Sequence, residues 1–71
     1  MKIVYYPDTD SLYIRFADLL VCEGREVGQG IVVDYTENGK VVGIGIDNAS
    51  EKVDLSRLVL STTPFSEVVS D

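Results

Sequence analysis

A chain of 71 residues carries one small domain at most, and its only cysteine, Cys22, together with the absence of histidine, excludes an internal disulfide and an ordinary zinc site as staples. A net charge of −6, with six Lys and Arg scattered against twelve Asp and Glu, argues against nucleic acid and against an anionic membrane, since both select a basic face. The hydrophobic fraction of 45% is too high for a disordered chain, so tight packing or a second subunit must supply the stability, and a homodimer is expected.

In chain order, the first signal is the β-branched and aromatic run Ile3–Tyr6, which reads as a strand. Pro7-Asp8-Thr9-Asp10 follows as a loop: Pro presets one turn dihedral and the Asp side chains can bond the turn backbone. Leu12, Ile14 and Phe16 then alternate with Tyr13 and Arg15, the pattern of a half-buried strand. The resulting hairpin pairs Tyr5 with Leu12, Ile3 with Ile14, Val4 with Tyr13 and Lys2 with Arg15. The last pair sets like charges side by side and counts against that register.

Between Ala17 and Gln29, the segment Glu23–Val27 suits a short third strand, and Gln29-Gly30 a turn or bulge. Next come Ile31–Thr36 and Lys40–Ile46 around Asn38-Gly39, which predicts a two-residue type I′ hairpin. That turn pairs Glu37 with Lys40 and puts Tyr35–Val42, Val33–Ile44 and Ile31–Ile46 on one face. Thr36–Val41, Asp34–Gly43 and Val32–Gly45 fall on the other. Asn48 and Glu51 have the spacing of a capping box, so a helix is expected from about Ala49. Leu55, Leu58 and Val59 fit helical spacing, although Leu58–Leu60 could equally run extended. Thr63-Pro64 predicts a further helical start, with Phe65, Val68 and Val69 on one face.

The expected fold is therefore α+β but mostly β. It is a four- to five-stranded antiparallel sheet of two hairpins with a short C-terminal helix, in one domain over residues 1–71. One face would carry Ile3, Tyr5, Leu12, Ile14 and Phe16 from the first hairpin, and Ile31, Val33, Tyr35, Val42, Ile44 and Ile46 from the second. Such a patch exceeds the few hundred Å² that a monomer leaves wet. Either the tail, Val53–Val69, or the same face of a second chain is expected to cover it.

Candidate chemistry is sparse. Asp8 and Asp10 could ligate a hard cation, but counting from Asp8 the sixth and twelfth positions are Tyr13 and Leu19, where a calcium loop needs Gly and Glu. Turn capping is the favoured role. Asp34 opposite Gly43 could line a small-ligand site, although glycines in a strand more often admit a close neighbour. Gly43-Ile44-Gly45 lies within a strand and opens no helix, so it is no dinucleotide fingerprint. Cys22 has no base to activate it, and without histidine no Ser or Cys triad can form. No catalytic residue, cofactor or metal is expected. Tyr6 and Tyr13 on the face opposite the core, Leu19 and Leu20 in a loop, and Phe65 in the tail are the candidate interaction surface. Met1-Lys2-Ile3-Val4 runs straight into Pro7 and Asp8, so no signal peptide is expected, and a lone thiol suits a reducing, cytoplasmic setting.

The run Tyr6-Pro7-Asp8-Thr9-Asp10-Ser11-Leu12-Tyr13-Ile14-Arg15 resembles the opening of the domain-of-unknown-function family 2283. Gly30-Ile31-Val32-Val33-Asp34-Tyr35, Asn38-Gly39-Lys40-Val41-Val42-Gly43-Ile44 and Asp47-Asn48-Ala49-Ser50 resemble it in the same order, over about residues 1–53. Leu19-Leu20 departs from the polar turn expected there, and the tail 54–71 lies outside the resemblance. The resemblance implies a small prokaryotic β-rich domain with no assigned activity, and an antitoxin-like role beside a small toxin-like protein. The expected function is thus a non-enzymatic, cytosolic interaction or dimerisation domain with a small basic protein as a candidate partner. The alternative is a small ligand- or metal-binding protein using Asp8, Asp10 or Asp34.

Overall fold

Period-two alternation dominates the first two thirds of the chain, and the computed structural model, which describes residues 1–61 and 64, folds that stretch into five strands. They are β1 (Lys2–Tyr6), β2 (Ser11–Arg15), β3 (Glu23–Gly28), β4 (Ile31–Tyr35) and β5 (Val41–Asp47). A single turn of helix, α1 (Ala49–Lys52), follows. The β1–β2 hairpin and the β3–β4–β5 meander join through β2 and β5, so the order is β1-β2-β5-β4-β3 with antiparallel neighbours throughout. Two strands, β1 and β3, form the edges. Among the described residues no helix is long and apolar enough to cross a membrane.

The first hairpin has the expected register, Lys2 opposite Arg15 included. The like-charge pair is tolerated because the Arg15 guanidinium turns to the loop beyond β2. It donates to the Asp18 carboxylate at 3.3 Å and to the Leu19 carbonyl at 3.0 Å.

The second hairpin differs from expectation at its tip. Asn38 keeps a negative φ and only Gly39, at φ 82°, is left-handed, so the turn is not type I′. Thr36 N–H donates to the Lys40 carbonyl (2.8 Å) and Gly39 N–H to the Thr36 carbonyl (3.0 Å), closing a three-residue loop over Glu37-Asn38-Gly39. The Thr36 hydroxyl accepts the Lys40 N–H at 3.0 Å, a bond that favours the wider loop. Tyr35 therefore pairs with Val41 rather than Val42. A bulge then makes Val42 the extra residue, and the ladder returns to Asp34–Gly43, Val33–Ile44, Val32–Gly45 and Ile31–Ile46. The two offsets cancel, so the faces come out as the alternation requires. The Val42 carbonyl faces the β2 side, where it accepts N–H bonds from Phe16 (2.7 Å), continuing the β2–β5 ladder, and from Ala17 (3.4 Å).

The Asn48–Glu51 capping box does not form. Asn48 sits at φ 51°, ψ 47°, a left-handed conformation, and makes no side-chain cap. A capping side chain needs an extended backbone to reach the helical N–H groups. Beyond Val53 the described tail has no helix, and the helix expected around Thr63-Pro64 with Phe65, Val68 and Val69 lies outside the described residues. Buried apolar residues among those described are few: Leu12, Val42 and Ala49. Contacts between neighbouring strands hold the molecule together.

Candidate functional site

Each face of the sheet has its own character. On the face opposite the broad apolar one, the ladder brings Tyr13 beside Gly45 and Arg15 beside Gly43, with Asp34 on the far side of Gly43. With no side chains on β5 in the way, Tyr13 lies across the strand. A Cβ at Gly45 would sit 3.6 Å from its ring, and one at Gly43 would sit 2.6 Å from its hydroxyl. The Tyr13 hydroxyl reaches β4 and donates to Asp34 Oδ2 at 2.7 Å. That bond, with help from burial, raises the Tyr13 pKa, because the carboxylate favours the protonated phenol. The close approach expected over the two glycines is thus made by Tyr13 itself. The pairing of Tyr13 with Asp34 is not visible in sequence spacing, although two glycines facing an aromatic residue are its trace.

Asp10 organises the opposite end of β2. It is left-handed at φ 52°, which aims its carboxylate at the β5–α1 corner. Oδ1 accepts the Tyr5 hydroxyl (2.8 Å) and the Ser50 N–H (3.0 Å), and Oδ2 accepts the Ser50 hydroxyl (2.6 Å). The Asp10 carbonyl accepts the Ala49 N–H at 2.9 Å. Asp10 therefore caps α1 from 40 residues away in sequence. The Ser50 hydroxyl first, and then the Tyr5 hydroxyl, hold its carboxyl below the ordinary range, while Asp10 raises the Tyr5 phenol. Ser50 and Tyr5 went unnoticed in the sequence because nothing local links them to Asp10. Lys52 completes this end, donating to the carbonyls of Gln29 (2.8 Å) and Asp47 (2.7 Å) and so tying the β3–β4 turn to β5.

The candidate ligand set is not brought together. Asp10 immediately precedes β2, Asp34 lies on β4 across β5 and level with Arg15 at the far end of β2, Asp8 is exposed in the loop, and among the described residues no three His, Cys, Asp or Glu side chains converge. Cys22 is exposed beside a depression of about 210 Å³ shared with Glu23, Arg25, Tyr35, Thr36, Glu37 and Gly39. Of the groups there, the Glu23 carboxylate is bonded by Arg25, and the chain has no histidine to act on the thiol.

The other face is apolar and open. Ile3, Tyr5 and Phe16 are each at least 40% exposed, while Ile14, Ile31, Val33, Ile44 and Ile46 are half-buried. The tail does not enclose itself there: Leu55, Leu58, Val59 and Leu60 are all exposed. The charged strand residues on this face are Glu23 and Arg25, which pair at 2.8 Å while Arg25 lies 5.2 Å over the Tyr35 ring. Of the residues singled out for an interaction surface, Tyr6 and Leu19 are exposed and Leu20 stands 88% exposed. Tyr13 is half-buried under its bond to Asp34, and Phe65 lies outside the described residues.

Comparison with protein families identifies the chain's relatives by description. The model of the family described as protein of unknown function (DUF2283) matches residues 2–50, spanning all five strands and ending on Ser50. No curated protein and no solved structure matches the chain.

Proposed function

We propose that this chain, which belongs to the DUF2283 family of proteins of unknown function, is a non-enzymatic interaction domain that docks the apolar face of its sheet on the same face of a second copy. One observation carries the reading: large apolar side chains from four of the five strands stand open or half-open on one side of a single-layer sheet. Five strands about 4.8 Å apart and about 17 Å long outline roughly 400 Å², so two such faces outline about 800 Å², and the relief of the side chains standing on them brings the accessible area removed from water to the order of 1,000 Å². That reaches the lower limit of a specific interface.

Charge favours a second copy over a basic partner on this surface. Glu23 and Arg25 neutralise one another there, so the net charge of −6 is carried elsewhere. A second apolar face matches this surface, whereas a basic protein would find its described strand carboxylate, Glu23, already paired with Arg25. The non-enzymatic reading is supported by the engagement of Asp10 and Asp34 in structural bonds and by a chain without histidine.

Sedimentation velocity tests the proposal. The wild-type chain self-associates, and Val33→Lys or Ile31→Lys, read separately, lowers its oligomeric state while the β-strand circular dichroism persists. A folded Val33→Lys and a folded Ile31→Lys that both associate as the wild type does would overturn it.

A further inference from the structure

The two edges of the sheet are treated differently. At β3 the ladder is broken by a bulge between Glu26 and Gly28, and the strand carries Glu23, Arg25, Glu26 and two glycines. Charges and bulges are the usual means of keeping a bare edge from pairing with another chain. No such device protects β1. It runs in unbroken register on β2, and its one charge is Lys2 at its first position. Ile3, Tyr5 and Tyr6 are 40–51% exposed. Among the described residues no other segment makes a backbone hydrogen bond to β1 besides β2.

We propose that β1 is a second self-association surface, pairing antiparallel with β1 of another copy about a two-fold axis at Val4. This interface is independent of the face-to-face docking proposed above. In this register residues 2–6 fall on residues 6–2, so the whole strand is used. Pro7, which has no N–H to offer a ladder, stays outside it. Val4 meets Val4, Ile3 meets Tyr5 twice, and Lys2 meets Tyr6. β-Branched and aromatic residues make favourable cross-strand pairs, and no like charges are opposed. Opposite residues have the same parity, so the apolar faces of both copies stay on one side of a continuous sheet. Two such sheets stacked by their apolar faces make a closed tetramer with three mutually perpendicular two-folds, a common symmetry.

Two measurements on the full chain test the edge. In sedimentation velocity the wild type is a tetramer, Val4→Lys and Val33→Lys are each dimers, and the double variant is a monomer. In hydrogen exchange, the outward amides of β1 gain protection as concentration rises, while those of β3 do not change. A wild-type dimer that Val4→Lys leaves intact and Val33→Lys splits overturns the edge and keeps the face. The converse result keeps the edge and overturns the face. A wild-type monomer at high concentration overturns both. Protection of β1 that ignores concentration shows its edge covered within one chain, and overturns the edge pairing. Tyr6→Lys, which lies on the face away from the docking surface and would set a lysine against Lys2 of the second copy, is read the same way and replaces Val4→Lys should that variant lose its strand dichroism.

Discussion

At the scale of residues, the sheet depends on two missing side chains. Gly43 and Gly45 leave β5 low enough for Tyr13 to cross it and bond Asp34. Gly43→Ala puts a methyl 2.6 Å from the Ile14 carbonyl oxygen, which is backbone and cannot swing aside. We expect a loss of about 2–3 kcal/mol in urea unfolding from that overpacking. Gly45→Ala, at 3.6 Å from the ring, is expected to be far milder. Tyr13→Phe keeps the ring over both glycines and loses only the bond to Asp34, a cost of about 1 kcal/mol. The sign of the pH effect follows from the raised Tyr13 pKa. Its stabilisation is complete below the ordinary value of 10.0 and fades as pH rises through the higher folded value. Urea melts across the alkaline range should show that fall in the wild type and a flatter curve in Tyr13→Phe.

Elements are joined by Asp10 more than by any apolar core. The first hairpin, through Tyr5, and α1, through Ser50, meet at its carboxylate, so a helix of one turn persists where isolated helices of that length do not. Because donors from Ser50 and Tyr5 lower the Asp10 pKa, the linked stability is full above the ordinary value of 3.8 and is lost as pH falls through the lower folded value. Asp54, lowered by Ser56, acts in the same direction. Thermal melts between neutral and strongly acidic pH should therefore show a smaller acid-induced drop in Asp10→Asn than in the wild type, with the Asp54 share remaining.

At the scale of the whole molecule, the described residues bury three apolar side chains under a single layer of strands, a thin core that the proposed association would supplement. Melting temperature is expected to rise with protein concentration, because a partner that binds only the folded state stabilises it by mass action. The charge pairs of Arg15 and Arg25 are exposed and contribute little, so added salt should change this dependence only slightly.

Strand positions, the register of both hairpins below their tips and the division into two faces were legible in the sequence, because alternation and turn residues are local and a one-residue slip would invert every side chain. The turn at Asn38-Gly39 was misread because a Thr36 hydroxyl and a compensating bulge at Val42 decide it together. Local spacing pointed to Asn48 as the cap of α1, while the residue that caps it lies 40 positions away. Alternation places Tyr13 on an exposed face, and only the neighbouring β4 brings Asp34 within reach of its hydroxyl. Periodicity along a chain dictates which side a residue faces. Which distant group it meets there depends on strand order, and only the assembled sheet sets that.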